Sequence, residues 1–148
     1  MTKKNIVSGI IAVAAVLLCM GMIFFFSSQD ASESTMMSDR FAFLLRWPFA
    51  VKILRKCAHF SEFALLGFLT ALAVKNFEKK KFIPAAFAIS AAYAATDELH
   101  QLFVEGRACR FFDFGVDCSG ALAGIAFAAL MIYLFSRLRG GKKDDGKC

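Results

Sequence analysis

The chain alternates between long uncharged blocks and short stretches where charge gathers. Ile6 to Phe26 carries no charged residue and follows Lys3 and Lys4. Phe63 to Val74 and Phe82 to Thr96 are uncharged again, and Asp113 to Phe135 holds only Asp113 and Asp117. About 20 apolar residues cross the ~30 Å hydrocarbon core of a bilayer. The blocks predict four membrane helices, over residues 6–26, 55–74, 82–102 and 113–135. A cleaved signal peptide fits the first block poorly, because its apolar part is usually ~7–15 residues and ends in small residues. This block ends in Phe24-Phe25-Phe26.

The connections differ in character. Residues 27–54 pass from a Ser- and acid-rich half to an apolar half, Phe41 to Phe49, with isolated positive charges. Trp47 and the neighbouring arginines suit the headgroup zone, so a short interfacial helix is expected there. Lys75 to Lys81 is a short basic loop, Phe103 to Phe112 a tight polar one, and 136–148 a basic, Gly-rich, flexible tail. The expected fold is all-α: a polytopic four-helix membrane bundle forming one domain over 1–148.

Composition agrees. Of 148 residues, 58% are hydrophobic and 20% charged, and the apolar residues come in blocks. The net charge of +6 would suit nucleic acid if it lay on a polar surface. Here the basic residues flank apolar blocks, which is a topology signal, so nucleic acid is set aside as a partner. Eleven Lys and Arg fall with the two termini and the 75–81 loop, and seven fall on the other side. This bias predicts cytoplasmic termini in a multi-pass plasma-membrane protein. The five cysteines show no C-x-x-C spacing and imply neither a disulfide framework nor a structural zinc site. Cys57, Cys109 and Cys118 fall on one side, where a bridge is open to them, but small apolar filler is their simpler reading.

The predicted topology brings four polar segments to one membrane level. They are Ser27-Ser28-Gln29, Arg55 to Glu62, Asp97 to Gln101, and the stretch holding Arg107, Arg110, Asp113 and Asp117. Ionisable groups in membrane segments cost ~2.5–3.5 kcal/mol each on insertion scales, and they usually face a bundle interior and serve a function. Arg55, His59 and Glu62 recur at i, i+4, i+7 on one helix face. Ser90, Tyr93, Asp97, His100 and Gln101 share a second stripe, and Glu98 falls off it. Asp113, Asp117, Gly120 and Gly124 share a third, and Gly120-x-x-x-Gly124 permits close backbone approach. Pairing of Arg55 or Arg107 with these acids for helix register alone is the competing structural explanation. The presence of both histidines in one cluster favours a site.

At these residues the chain resembles the VanZ-like family of small bacterial membrane proteins. The matching pieces are Phe26-Ser27-Ser28-Gln29, Arg55-Lys56-Cys57-Ala58-His59-Phe60-Ser61-Glu62-Phe63, Asp97-Glu98-Leu99-His100-Gln101-Leu102-Phe103-Val104-Glu105-Gly106-Arg107 and Asp113-Phe114-Gly115-Val116-Asp117-Cys118-Ser119-Gly120. The resemblance implies a helical membrane protein. It also implies a link to resistance against teicoplanin, a lipoglycopeptide antibiotic for which the family's namesake is known.

Three functions are open to this constellation. In the first, an outward-facing cluster binds an anionic cell-envelope lipid or lipid-linked precursor. Ser28, Gln29, Arg55, Lys56, Gln101, Arg107 and Asp113 then hold the ligand, the basic groups taking phosphate or carboxylate. In the second, the protein is an intramembrane hydrolase or transferase, with His59, Glu62, Asp97, His100 and Asp117 as the catalytic set. A metal-dependent version draws on the pairs His59-x-x-Glu62 and Asp97-x-x-His100, which project from single helix faces. Neither a cofactor nor a metal is assigned on these residues. A transporter or proton relay ranks last, since the charges gather at one end and no repeat is visible.

Overall fold

The computed structural model describes residues 3–29, 50–78, 80–105 and 111–141. They form helices α1 (Lys3–Ser27), α2 (Ala50–Phe77), α3 (Phe82–Gln101) and α4 (Phe111–Gly141). The fold is an all-α bundle. The expected interfacial helix around Trp47 lies outside the described residues, as do Arg107, Arg110 and Cys109.

Three helices have the length and apolarity to cross a membrane: Ile6–Ser27, Ile53–Phe77 and Phe111–Leu138. α3 is not among them, because its last turns carry Thr96-Asp97-Glu98-Leu99-His100-Gln101. At 1.5 Å per residue its 20 residues still reach about 30 Å. Beyond Gln101 the chain continues in tight turns, with the amides of Leu102, Phe103 and Val104 bonded three residues back. α2 begins before Arg55, and α4 runs past Phe135 to Gly141, into the stretch expected as flexible tail.

α2 is the centre of the bundle and packs against each of the other helices, most extensively against α4. Small residues make that pairing possible. A Cβ on Gly120 would land on the Phe60 carbonyl, one on Gly124 on the Ala64 carbonyl, and one on Gly67 on the Ala121 carbonyl. Without a hydrophobic driving force between helices in lipid, such close backbone approach is a main source of association.

Two apolar clusters fill the interior. Val16, Cys19, Ile23, Phe63, Leu66, Ala73 and Ala94 join α1, α2 and α3. Ala71, Ala86, Ile125 and Ala128 join α2, α3 and α4. The Tyr93 hydroxyl donates to the Met20 carbonyl at 2.6 Å and ties α3 to α1. α1 is apolar all round and leaves Ile10, Leu18 and Phe25 exposed, as a lipid-facing helix must. Cys19, Cys57 and Cys118 are free thiols, so Cys57 and Cys118 do not bridge.

Candidate functional site

All four helices bring polar residues to one end of the bundle, where Ser28 meets His100, Lys56 meets Asp113 and His59 approaches Asp117. α3 presents the deepest set. Its buried residues are Ala86, Ser90, Ala94, Asp97, Glu98 and Gln101, a repeat of three and four that faces α2 and α4. Asp97 and Glu98 are each 3% exposed. The burial of Glu98 corrects its placement off the functional stripe. Positions 97 and 98 are the i+3 and i+4 successors of Ala94, and a helix packed between two neighbours buries both.

α4 contributes Asp117, whose relative exposure is 0%. Both its carboxylate oxygens are buried without a hydrogen-bond partner among the described residues, as is Oδ1 of Asp97. The other Asp97 oxygen, Oδ2, accepts from Gln101 Nε2 at 3.0 Å. α2 contributes His59, with Nδ1 at 3.7 Å from Asp117 Oδ1. One ligand-type atom from each of His59, Asp97 and Asp117 lies within 4.8 Å of the other two. These three residues sit roughly 14, 6 and 9 Å inside their nearest helix ends at 1.5 Å per residue.

Among the described residues, Lys56, Asp113, Arg55, Glu62, Ser28 and Gln29 lie at the same end and are less buried than Asp97 and Asp117. Lys56 pairs with Asp113 across α2 and α4, and its ammonium lies 4.3 Å from the centre of the Phe112 ring. Asp113 also stands in the first turn of α4, where the helix dipole favours a negative charge. Arg55 and Glu62 are partly buried on α2, and Glu62, Glu98, Asp97 and Asp113 all lie within electrostatic range of Asp117. Ser28 and Gln29 end α1 at the same level.

His100 makes its contacts with α1. Its Nε2 lies 3.1 Å from the Ser28 hydroxyl, and its ring sits over Phe24 at 4.5 Å between centroids. Among the described residues it is not one of the three whose ligand-type atoms converge. The convergent set is built across α2, α3 and α4, one residue from each. Ser27 and Ser90 add buried hydroxyls without a hydrogen-bond partner among the described residues.

The VanZ/LLP1 family matches residues 12–135, from within α1 to within α4, and so spans the polar segments of all four helices. The chain belongs to the VanZ/LLP1 family. No curated protein and no solved structure matches it. For this VanZ/LLP1 protein the four sequence segments that carried the resemblance are the same four that supply the polar end of the bundle. Membership and apolar helices together make it a membrane protein.

Proposed function

We propose that the polar end of this bundle binds an anionic cell-envelope lipid or lipid-linked precursor at the outer leaflet of a bacterial plasma membrane. The observation that carries this reading is the meeting of four helix ends in one polar cluster, with basic groups at its rim. Burying these groups is costly in lipid, and a ligand whose headgroup is polar and whose tail is apolar matches both halves of the surface. Lys56 and Arg55 stand where a phosphate at headgroup depth would meet them. Arg107, six residues after α3 in sequence, is assigned to the same anion-binding set. Ser28 and Gln29 add hydrogen-bonding groups from α1.

The Lys/Arg bias supports cytoplasmic termini and hence an outward polar end. A lipid held or altered there changes the surface that a lipoglycopeptide meets, which gives the route to teicoplanin resistance. The test is native mass spectrometry of the protein released from mild detergent, with lipid identification. Wild type should retain a phosphate-bearing lipid, and Lys56→Gln with Arg107→Ala should lose it. Equal lipid retention in these variants at equal expression removes the reading. Expression in a susceptible host should raise teicoplanin tolerance, and the same variants should abolish the rise.

The approach of His59 to Asp117 favours a second reading, a hydrolase or transferase acting on the lipid-linked substrate. Asp117 would orient His59 through Nδ1, and His59 would move the proton. Turnover would then vanish with His59→Ala and persist with His100→Ala.

A further inference from the structure

We propose that His59, Asp97 and Asp117 form a binding site for one divalent transition-metal cation, of the zinc or manganese type. The three ligand-type atoms lie within 4.8 Å of one another and come from three helices. Two of the residues are almost wholly buried, at 3% and 0% exposure. Asp97 Oδ1 and both oxygens of Asp117 lack a hydrogen-bond partner among the described residues. Native proteins satisfy buried polar atoms with few exceptions, and each exception calls for a cause.

The cause here is a charge deficit. Among the described residues no lysine or arginine pairs with Asp97 or Asp117, and Lys56 is engaged by Asp113. A buried carboxylate is paired, coordinates a metal or takes up a proton, and only the second of these uses three ligand atoms converging from three helices. One imidazole nitrogen with carboxylate oxygens suits zinc and manganese and lacks the thiolates that select softer ions.

The dimensions come close. Bonds of ~2.0–2.2 Å keep any two ligands of one zinc within ~4.4 Å of each other. The observed spread needs only a small inward turn of the side chains. Three protein ligands leave a coordination position open, as in catalytic zinc sites. Gln101, which donates to Asp97 Oδ2 at 3.0 Å, is a positioning residue that fixes the carboxylate.

The closing experiment counts metal in the full chain purified in mild detergent. The protein is loaded with Zn2+ or Mn2+ in turn, stripped of loose ions on a chelating resin and analysed by inductively coupled plasma mass spectrometry. Wild type should keep about one ion per chain, and a chelator should lower its melting temperature until the ion is restored. Asp97→Asn and Asp117→Asn should keep none, and their melting should ignore the chelator. Gln101→Met should weaken ion affinity by ~10–100-fold. The double variant Cys57→Ser/Cys118→Ser should retain the ion. Metal lost with the cysteines but kept in Asp117→Asn, or no metal and no chelator effect in wild type, overturns the site. The wild-type measurement needs no variant to fold. It also needs no lipid, so failure of the lipid-binding reading would leave the metal count unchanged.

Discussion

Individual side chains at the polar end divide into two kinds, and they should respond differently to substitution. Lys56 and Asp113 form a partly exposed pair, with side-chain exposures of 43% and 31%. Pairs of that kind stabilise by only ~0–1 kcal/mol. Lys56→Met should therefore leave the melting temperature in detergent nearly unchanged while lowering the yield of bound phosphate lipid. A large loss of stability would instead make Lys56 a structural strut. Tyr93 is the opposite case, since its hydroxyl serves no ligand and donates to the Met20 carbonyl. Tyr93→Phe should cost ~0.6–1.7 kcal/mol, the range for hydrogen bonds between membrane helices, and leave lipid binding intact. Denaturant titration in mixed micelles measures the first quantity and native mass spectrometry the second. His59, Asp97 and Asp117 were legible in the sequence because one helical period places each on its own helix's polar stripe. The contacts of His100 with Ser28 and Phe24 were not legible there, because both partners belong to α1. The period of α3 carries no information about where α1 stands.

At the scale of the helices, the α2–α4 pairing is the feature most open to a decisive test. Gly124 meets the Ala64 carbonyl so closely that an added Cβ has no room, and backbone on the other helix cannot rotate away. Gly124→Ala should destabilise by ~1–3 kcal/mol as an overpacked contact, and Gly124→Val by more. Gly21 in α1 has nothing within 4 Å of an added Cβ. Gly21→Ala should stabilise by roughly 0.5–1 kcal/mol, the cost of glycine in a helix interior. Opposite signs for two glycine-to-alanine changes in one protein would separate close approach from helix propensity. Equal signs would show that the glycine pairing does not hold α2 against α4. Gly120-x-x-x-Gly124 announced this contact in the sequence, whereas the contribution of Gly67 from the opposing helix did not stand out in its apolar run. Helix ends were harder to read. Hydropathy marks where lipid stops, and α4 continues through Ser136, Arg137 and Leu138 because nothing there breaks a helix.

For the whole molecule, orientation decides whether the polar end can meet an envelope ligand at all. Eleven of eighteen Lys and Arg residues fall with the termini and the 75–81 loop. The seven on the other side include Arg55 and Lys56, which belong to the polar cluster and not to a loop. Positive charge in short loops is retained on the cytoplasmic side during insertion, and acids contribute little to that choice. A fluorescent protein fused to the C-terminus should therefore glow, and alkaline phosphatase fused after Gln29 should be active. A thiol reagent that cannot cross the membrane should label Cys57, which is exposed at the polar end. Neutralising Lys79, Lys80 and Lys81 to Gln removes the densest basic group and should yield a mixed population in both reporters. α3 is the helix that this change would release first, because it is not among the three helices apolar enough to cross unaided and follows that loop directly. If the phosphatase fusion after Gln29 is silent and the C-terminal fluorescent fusion is dark, the bundle sits the other way round. His59, Asp97 and Asp117 would then face the cytoplasm, and an outer-leaflet lipid could not be their ligand, although the metal site would stand.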